Sequence, residues 1–118
     1  MSRILLVEDE ESLAYLATMI LEGCGYDISH ARSGEEALMM IEHSKPDLLL
    51  TDNMMPGMDG IDLCRRVKEM PAARSTPIVM LSASPCPDDA DELVDAFLRK
   101  PFTPERLIAV VRRSLSDA

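Results

Sequence analysis

The sequence predicts an α/β fold, a parallel sheet covered by helices on both faces, and three observations lead there. Short Leu-, Ile- and Val-rich runs alternate with stretches of helical period along the 118 residues. The runs lack the polar alternation of half-exposed strands, as strands buried on both sides require. Polar or charged residues stand directly after four of the runs, where open parallel sheets bind their ligands.

Arg3 to Val7 reads as a central buried strand. From about Ser12 to Glu22, Leu13, Leu16, Ala17, Ile20 and Leu21 recur at helical spacing, and Gly23 and Gly25 stop that helix. A short strand follows near Tyr26 to Ser29. Ser33 stands three residues before Glu36, the spacing at which each side chain satisfies a free N–H of a helix start. Ala37, Leu38 and Ile41 then supply the apolar stripe. Leu48 to Thr51 form the next buried strand and deliver Asp52 to its C-terminal edge. Pro56, Gly57, Asp59 and Gly60 make a turn, and Ile61 to Met70 read as a helix with Leu63 and Val67 inward. Pro77 to Leu81 form a strand ending at Ser82. Two prolines and five acids between residues 84 and 95 leave room only for a short helix around Asp89 to Val94. The last strand, Ala96 to Arg99, runs into Lys100-Pro101. Thr103-Pro104-Glu105 opens the final helix with a cap, a proline at its first position and an acid in its first turn. One domain over residues 1–118 is expected, since this length suits a single core.

Composition narrows the function classes. A net charge of -9 repels a phosphate backbone, so direct nucleic-acid binding is not expected, whereas cations and basic partners are. No run of about 18 apolar residues is present to span a bilayer, and no signal peptide stands at the start, which predicts a cytoplasmic protein without membrane contact. Cys24, Cys64 and Cys86 show no Cys-x-x-Cys spacing, so they read as isolated reduced thiols rather than a disulfide framework or a zinc site.

The residues at the strand ends carry the chemistry. Glu8 and Asp9 follow the first strand, Asp52 the third, Ser82 the fourth and Lys100 the fifth. Each alone has an ordinary reading: acids at a helix start, a turn opener, a strand-end hydroxyl, a surface lysine. Their joint placement at four strand ends favours one cleft. Three carboxylates brought together repel unless a cation neutralises them. Magnesium suits such a set, because it takes one or two carboxylates plus phosphate oxygens and keeps several waters. Asp9 and Asp52 would bind it directly and Glu8 through water. Lys100 adds a point charge, and Asp52 is the nucleophile for a phosphoryl group held by these charges.

Four segments in order carry a resemblance: Ile4-Leu5-Leu6-Val7-Glu8-Asp9, Asp52-Asn53-Met54-Met55-Pro56-Gly57-Met58-Asp59-Gly60, Ile78-Val79-Met80-Leu81-Ser82-Ala83, and Phe97-Leu98-Arg99-Lys100-Pro101-Phe102. Over essentially its whole length the chain resembles the receiver domain of two-component response regulators. The resemblance implies a flavodoxin-like, three-layer doubly wound sandwich with a five-stranded sheet of order 2-1-3-4-5 and about five helices. It implies a magnesium site, open also to manganese, made by Glu8, Asp9, Asp52 and the carbonyl of Met54. A histidine kinase or a histidine phosphotransfer protein would be the donor, and a downstream protein the target. Ser82 would hydrogen-bond the phosphoryl group and Lys100 contact another of its oxygens. The Lys100-Pro101 bond would be cis, and Phe97 would fill the aromatic switch position. Such a domain catalyses its own phosphorylation and slow dephosphorylation without turning over a substrate.

The chain departs from that pattern in two places. The interval from Ser82 to Lys100 is shorter than in typical relatives by about 4 residues, one helical turn, so the helix expected fourth in order is shortened or irregular. Met54, two residues after the acceptor, replaces a side chain that is polar in many relatives. An apolar group there cannot orient a hydrolytic water, which predicts a long-lived phosphoryl-aspartate. Three rival readings fit the residues less well. An aspartyl-nucleophile phosphatase needs a second acid where Met54 stands. A pseudo-receiver that only binds proteins does not need Asp52, Ser82 and Lys100 together. A flavin or dinucleotide binder would carry glycines where Glu8-Asp9-Glu10 follow the first strand.

Overall fold

The computed structural model describes residues 2–83 and 92–116. In chain order these form β1 (Arg3–Val7), α1 (Glu11–Glu22), β2 (Asp27–Ala31), α2 (Gly34–His43), β3 (Leu48–Asp52), α3 (Gly60–Glu69), β4 (Ile78–Ser82), β5 (Ala96–Arg99) and α4 (Pro104–Ser116). All neighbouring strands are parallel, in the order β2-β1-β3-β4-β5. This is the flavodoxin-like architecture anticipated from the sequence, with four helices among the described residues where about five were expected.

Alternation along the strands builds two cores. Leu5, Val7, Leu49, Ile78 and Met80 face α2 and α3, where they meet Ala37, Ile41, Leu63, Cys64 and Val67. Ile4, Leu6, Leu48, Leu50, Val79 and Leu81 face α1 and α4, against Ala14, Ala17, Leu21, Leu107 and Val111. Every residue of β3 and β4 is buried, which explains the unbroken apolar runs, since burying one large aliphatic side chain contributes about 1.5–3 kcal/mol. The Cys64 thiol lies wholly inside this core, where burial pushes its pKa up to about 12. It stays protonated and inert.

Caps set the helix starts. Ser33 Oγ accepts the Glu36 N–H at 3.1 Å, Asp59 Oδ1 accepts the Asp62 N–H at 2.8 Å, and Thr103 Oγ1 accepts the Arg106 N–H at 3.2 Å. Capping by Asp59 starts α3 one residue before the expected Ile61. β2 extends to Ala31 rather than ending near Ser29, because its register against β1 pairs His30 with Leu6 and Ala31 with Val7. The short helix expected around Asp89 to Val94 lies largely outside the described residues, and 92–95 are not helical, with a turn at 92 and 93 and a bend at 95. The Lys100-Pro101 peptide is cis, as the resemblance implied. Among the described residues, no helix is long and apolar enough to cross a membrane.

Candidate metal and phosphoryl site

Parallel strands end their carboxyl edges at one pole of the sheet, and register decides which side chains meet there. Val7 pairs with Thr51, and Asp52 with Leu81, while Ser82 lies beside Arg99. Glu8 and Asp52 therefore leave adjacent strands side by side, and Lys100 arrives from β5 across β4. Carboxylate oxygens of Glu8, Asp9 and Asp52 all lie within 4.8 Å of one another. Glu8 is only 1% exposed and Asp52 5%, whereas Asp9 stands open to solvent.

Among the described residues, one ammonium answers the two buried acids. Lys100 Nζ lies 3.0 Å from Asp52 Oδ1 and 3.2 Å from Glu8 Oε1. One lysine does not balance three carboxylates, and the imbalance is visible in Glu8. Burial first, then the Asp52 charge, push its pKa up to about 7, against the pull of the Glu10 N–H and of Lys100. Burial pulls the Lys100 pKa down, but the hydrogen bond and charge of Asp52, with Glu8, outweigh it and leave a net rise. The ammonium stays charged. Hard oxygen donors around an excess of negative charge are the donor set that suits magnesium.

Ser82 closes β4, buried beside this cluster. Met54 follows in the β3–α3 loop with its side chain 66% exposed. Thus the cluster unites Glu8, Asp9, Asp52 and Lys100, while Ser82 ends the neighbouring strand β4 and Met54 follows the acceptor by two residues. Gly60 lets α3 begin directly under the acceptor: a Cβ there would run into the Asp52 carbonyl and stand 2.8 Å from Asn53 Cα. Its N–H donates to the Asn53 carbonyl at 2.9 Å.

Two neighbours escaped sequence reasoning. His30 Nε2 donates to the Glu8 carbonyl at 2.8 Å, a contact that depends on β1–β2 register and leaves no local trace. Asn53 is buried, and its Oδ1 has no hydrogen-bond partner among the described residues. A polar residue inserted between the acceptor and an apolar loop was the signal that could have singled it out.

Comparison with known proteins agrees with this geometry. The family model described as "Response regulator receiver domain" matches residues 4–112. The DNA-binding response regulator MtrA of Mycobacterium tuberculosis is 41% identical over 119 residues, covering 96% of this chain and 50% of that protein. The chain spans about half the length of the curated relatives it matches. Among solved structures, the receiver domain of a signal transduction histidine kinase from Syntrophus aciditrophicus superposes with a TM-score of 0.91 at 36% identity, covering 100% of this chain and 92% of that one. The receiver domain of a sensor histidine kinase from Pseudomonas aeruginosa, solved with a magnesium ion in its active-site cleft, gives 0.89 at 26%, covering 98% of both. With strand order, buried acids and the lysine bridge all in place, the chain belongs to the response regulator receiver domain family.

Proposed function

We propose that Asp52 accepts a phosphoryl group from a phosphohistidine of a histidine kinase or a histidine phosphotransfer protein, with a divalent magnesium ion held by Glu8, Asp9, Asp52 and the Met54 carbonyl. Residues 1–118 act in this reading as one receiver unit, working in the cytoplasm where such donors expose their phosphohistidines. The observation that carries the reading is Lys100 Nζ reaching both Asp52 and Glu8 within a cluster of three carboxylates. That arrangement is costly for folding alone and suited to a ligand rich in negative oxygens.

An Asp52 carboxylate oxygen attacks phosphorus as the bond from phosphorus to the donor imidazole breaks. The imidazole nitrogen keeps the electron pair and takes a proton from solvent. Lys100 leaves its paired carboxylates to neutralise a phosphoryl oxygen, and the Ser82 hydroxyl donates to another. A cation held by Glu8, Asp9, Asp52 and the Met54 carbonyl would supply further positive charge to the phosphoryl group. The product is an acyl phosphate on Asp52, whose new charge alters the surroundings of Ser82 and gives a downstream protein something to read.

Incubation with acetyl phosphate and magnesium, followed by intact mass, tests this. Wild type should gain one phosphoryl group and lose the gain on addition of EDTA before the donor, while Asp52→Asn should gain none. Equal labelling of Asp52→Asn, or no labelling of wild type, contradicts the assignment.

A further inference from the structure

The loop between β3 and α3 carries three methionines in different settings. Met54 points to solvent, Met55 is buried in the core of the α2–α3 face, and Met58 packs partly buried against that core. Met58 lies against Gly34, the first residue of α2. A Cβ placed on Gly34 would stand 2.8 Å from Met58 Sδ, 3.0 Å from Cγ and 3.1 Å from Cβ. Rotating the thioether relieves the first contact, whereas the Cγ and Cβ contacts require Met58 to give by a few tenths of an ångström. The next turn of the loop abuts the same helix end, since a Cβ on Gly57 would lie 3.4 Å from Glu35 Oε2. At its far end the loop is tied by the Gly60 N–H to the Asn53 carbonyl at 2.9 Å.

We propose that Gly34 is a positioning residue: the first turn of α2 is the seat for Met58, and through it sets where the β3–α3 loop, with the Met54 backbone, stands relative to Asp52. The inference rests on the proposed phosphoryl function and adds to it a support outside the strand ends. Gly34 is not a glycine required by its backbone, because its φ is not positive. Replacing such a helical glycine by alanine ordinarily gains stability through lost freedom of the unfolded chain. The seat predicts the opposite for the site, since supporting contacts around a metal set its affinity.

Wild type, Gly34→Ala, Met58→Ala and the double variant are compared by calorimetric magnesium titration and by amide hydrogen exchange without metal. Gly34→Ala should weaken magnesium binding about tenfold, the lower end of what lost supporting contacts do, and speed exchange at the Gly60 N–H. Met58→Ala should move both readouts the same way, and the double variant should be no worse than Met58→Ala alone, because the two act through one contact. A Gly34→Ala protein with a raised unfolding midpoint, wild-type magnesium affinity and unchanged Gly60 exchange overturns the seat. If Gly34→Ala does not fold, Met58→Ala decides in the same terms. If wild type binds no magnesium, the functional reading falls, and Gly60 exchange still judges the seat: faster in the variants supports it, unchanged overturns it.

Discussion

At the amino ends of the strands, aspartates close the sheet. Asp47 Oδ2 accepts the Arg3 N–H and Asp95 Oδ2 the Ile78 N–H, both at 2.7 Å, and Asp95 returns its own N–H to the Ile78 carbonyl at 2.8 Å. Each carboxylate accepts one backbone N–H at the start of a strand. At the carboxyl ends, Glu8 and Asp52 are buried deeper, yet they face one another and share one lysine. The same side-chain chemistry is satisfied at one pole and left in surplus at the other. Acid content therefore does not mark a site; what the acids meet does.

Variants at the two poles should separate accordingly. The largest effect is expected from Lys100→Met, which strands two buried carboxylates without their cation. Breaking a buried pair in this way costs about 3 kcal/mol or more, read by urea unfolding without metal, and magnesium should restore a large part of it. An unchanged unfolding midpoint would mean that the acids are solvated rather than crowded. Asp95→Ala should cost about 1–3 kcal/mol by loss of a charge-assisted hydrogen bond, with phosphorylation from acetyl phosphate kept. Loss of labelling in a folded Asp95→Ala protein would erase the contrast between the poles.

The contrast also has a pH signature. Glu8 holds its proton in the folded, metal-free protein up to about pH 7, whereas its unperturbed value is 4.5. Between these values the folded state binds more protons than the unfolded chain, so stability should fall as pH rises from about 4.5 to about 7. Glu8→Gln should flatten that part of the curve. A wild-type profile that rises across the same window contradicts the crowding at Glu8. A smaller effect is expected at Met54: Met54→Asn should speed dephosphorylation about tenfold, equivalent to about 1.4 kcal/mol in the barrier. An unchanged or slower rate would remove any role for that side chain in phosphoryl lifetime.

Much of the carboxyl pole is legible in the sequence alone, whereas the Asp47 and Asp95 bonds of the amino pole are not. Apolar runs ending in Asp52, Ser82 and Lys100 announce which strand ends meet, because a parallel sheet sends all its carboxyl edges one way. The caps at Ser33 and Thr103 are legible because their spacing is local. What escapes is whatever depends on register or on distant chain segments: the two further residues of β2, the His30 bond to the Glu8 carbonyl, and Met58 on Gly34. None has a signature within a few residues. Asn53 is an intermediate case, since its polarity is visible in the sequence but its burial is not.

The most direct measurement is a magnesium titration followed by backbone amide shifts in solution. Saturable shifts are expected only at the carboxyl pole, at Asp9, Asp52, Asn53 and Gly60, with Asp47 and Asp95 unmoved. No saturable shift at that pole, or shifts spread equally over both poles as a chain of charge -9 would show on gathering cations without a site, would contradict the proposed magnesium site.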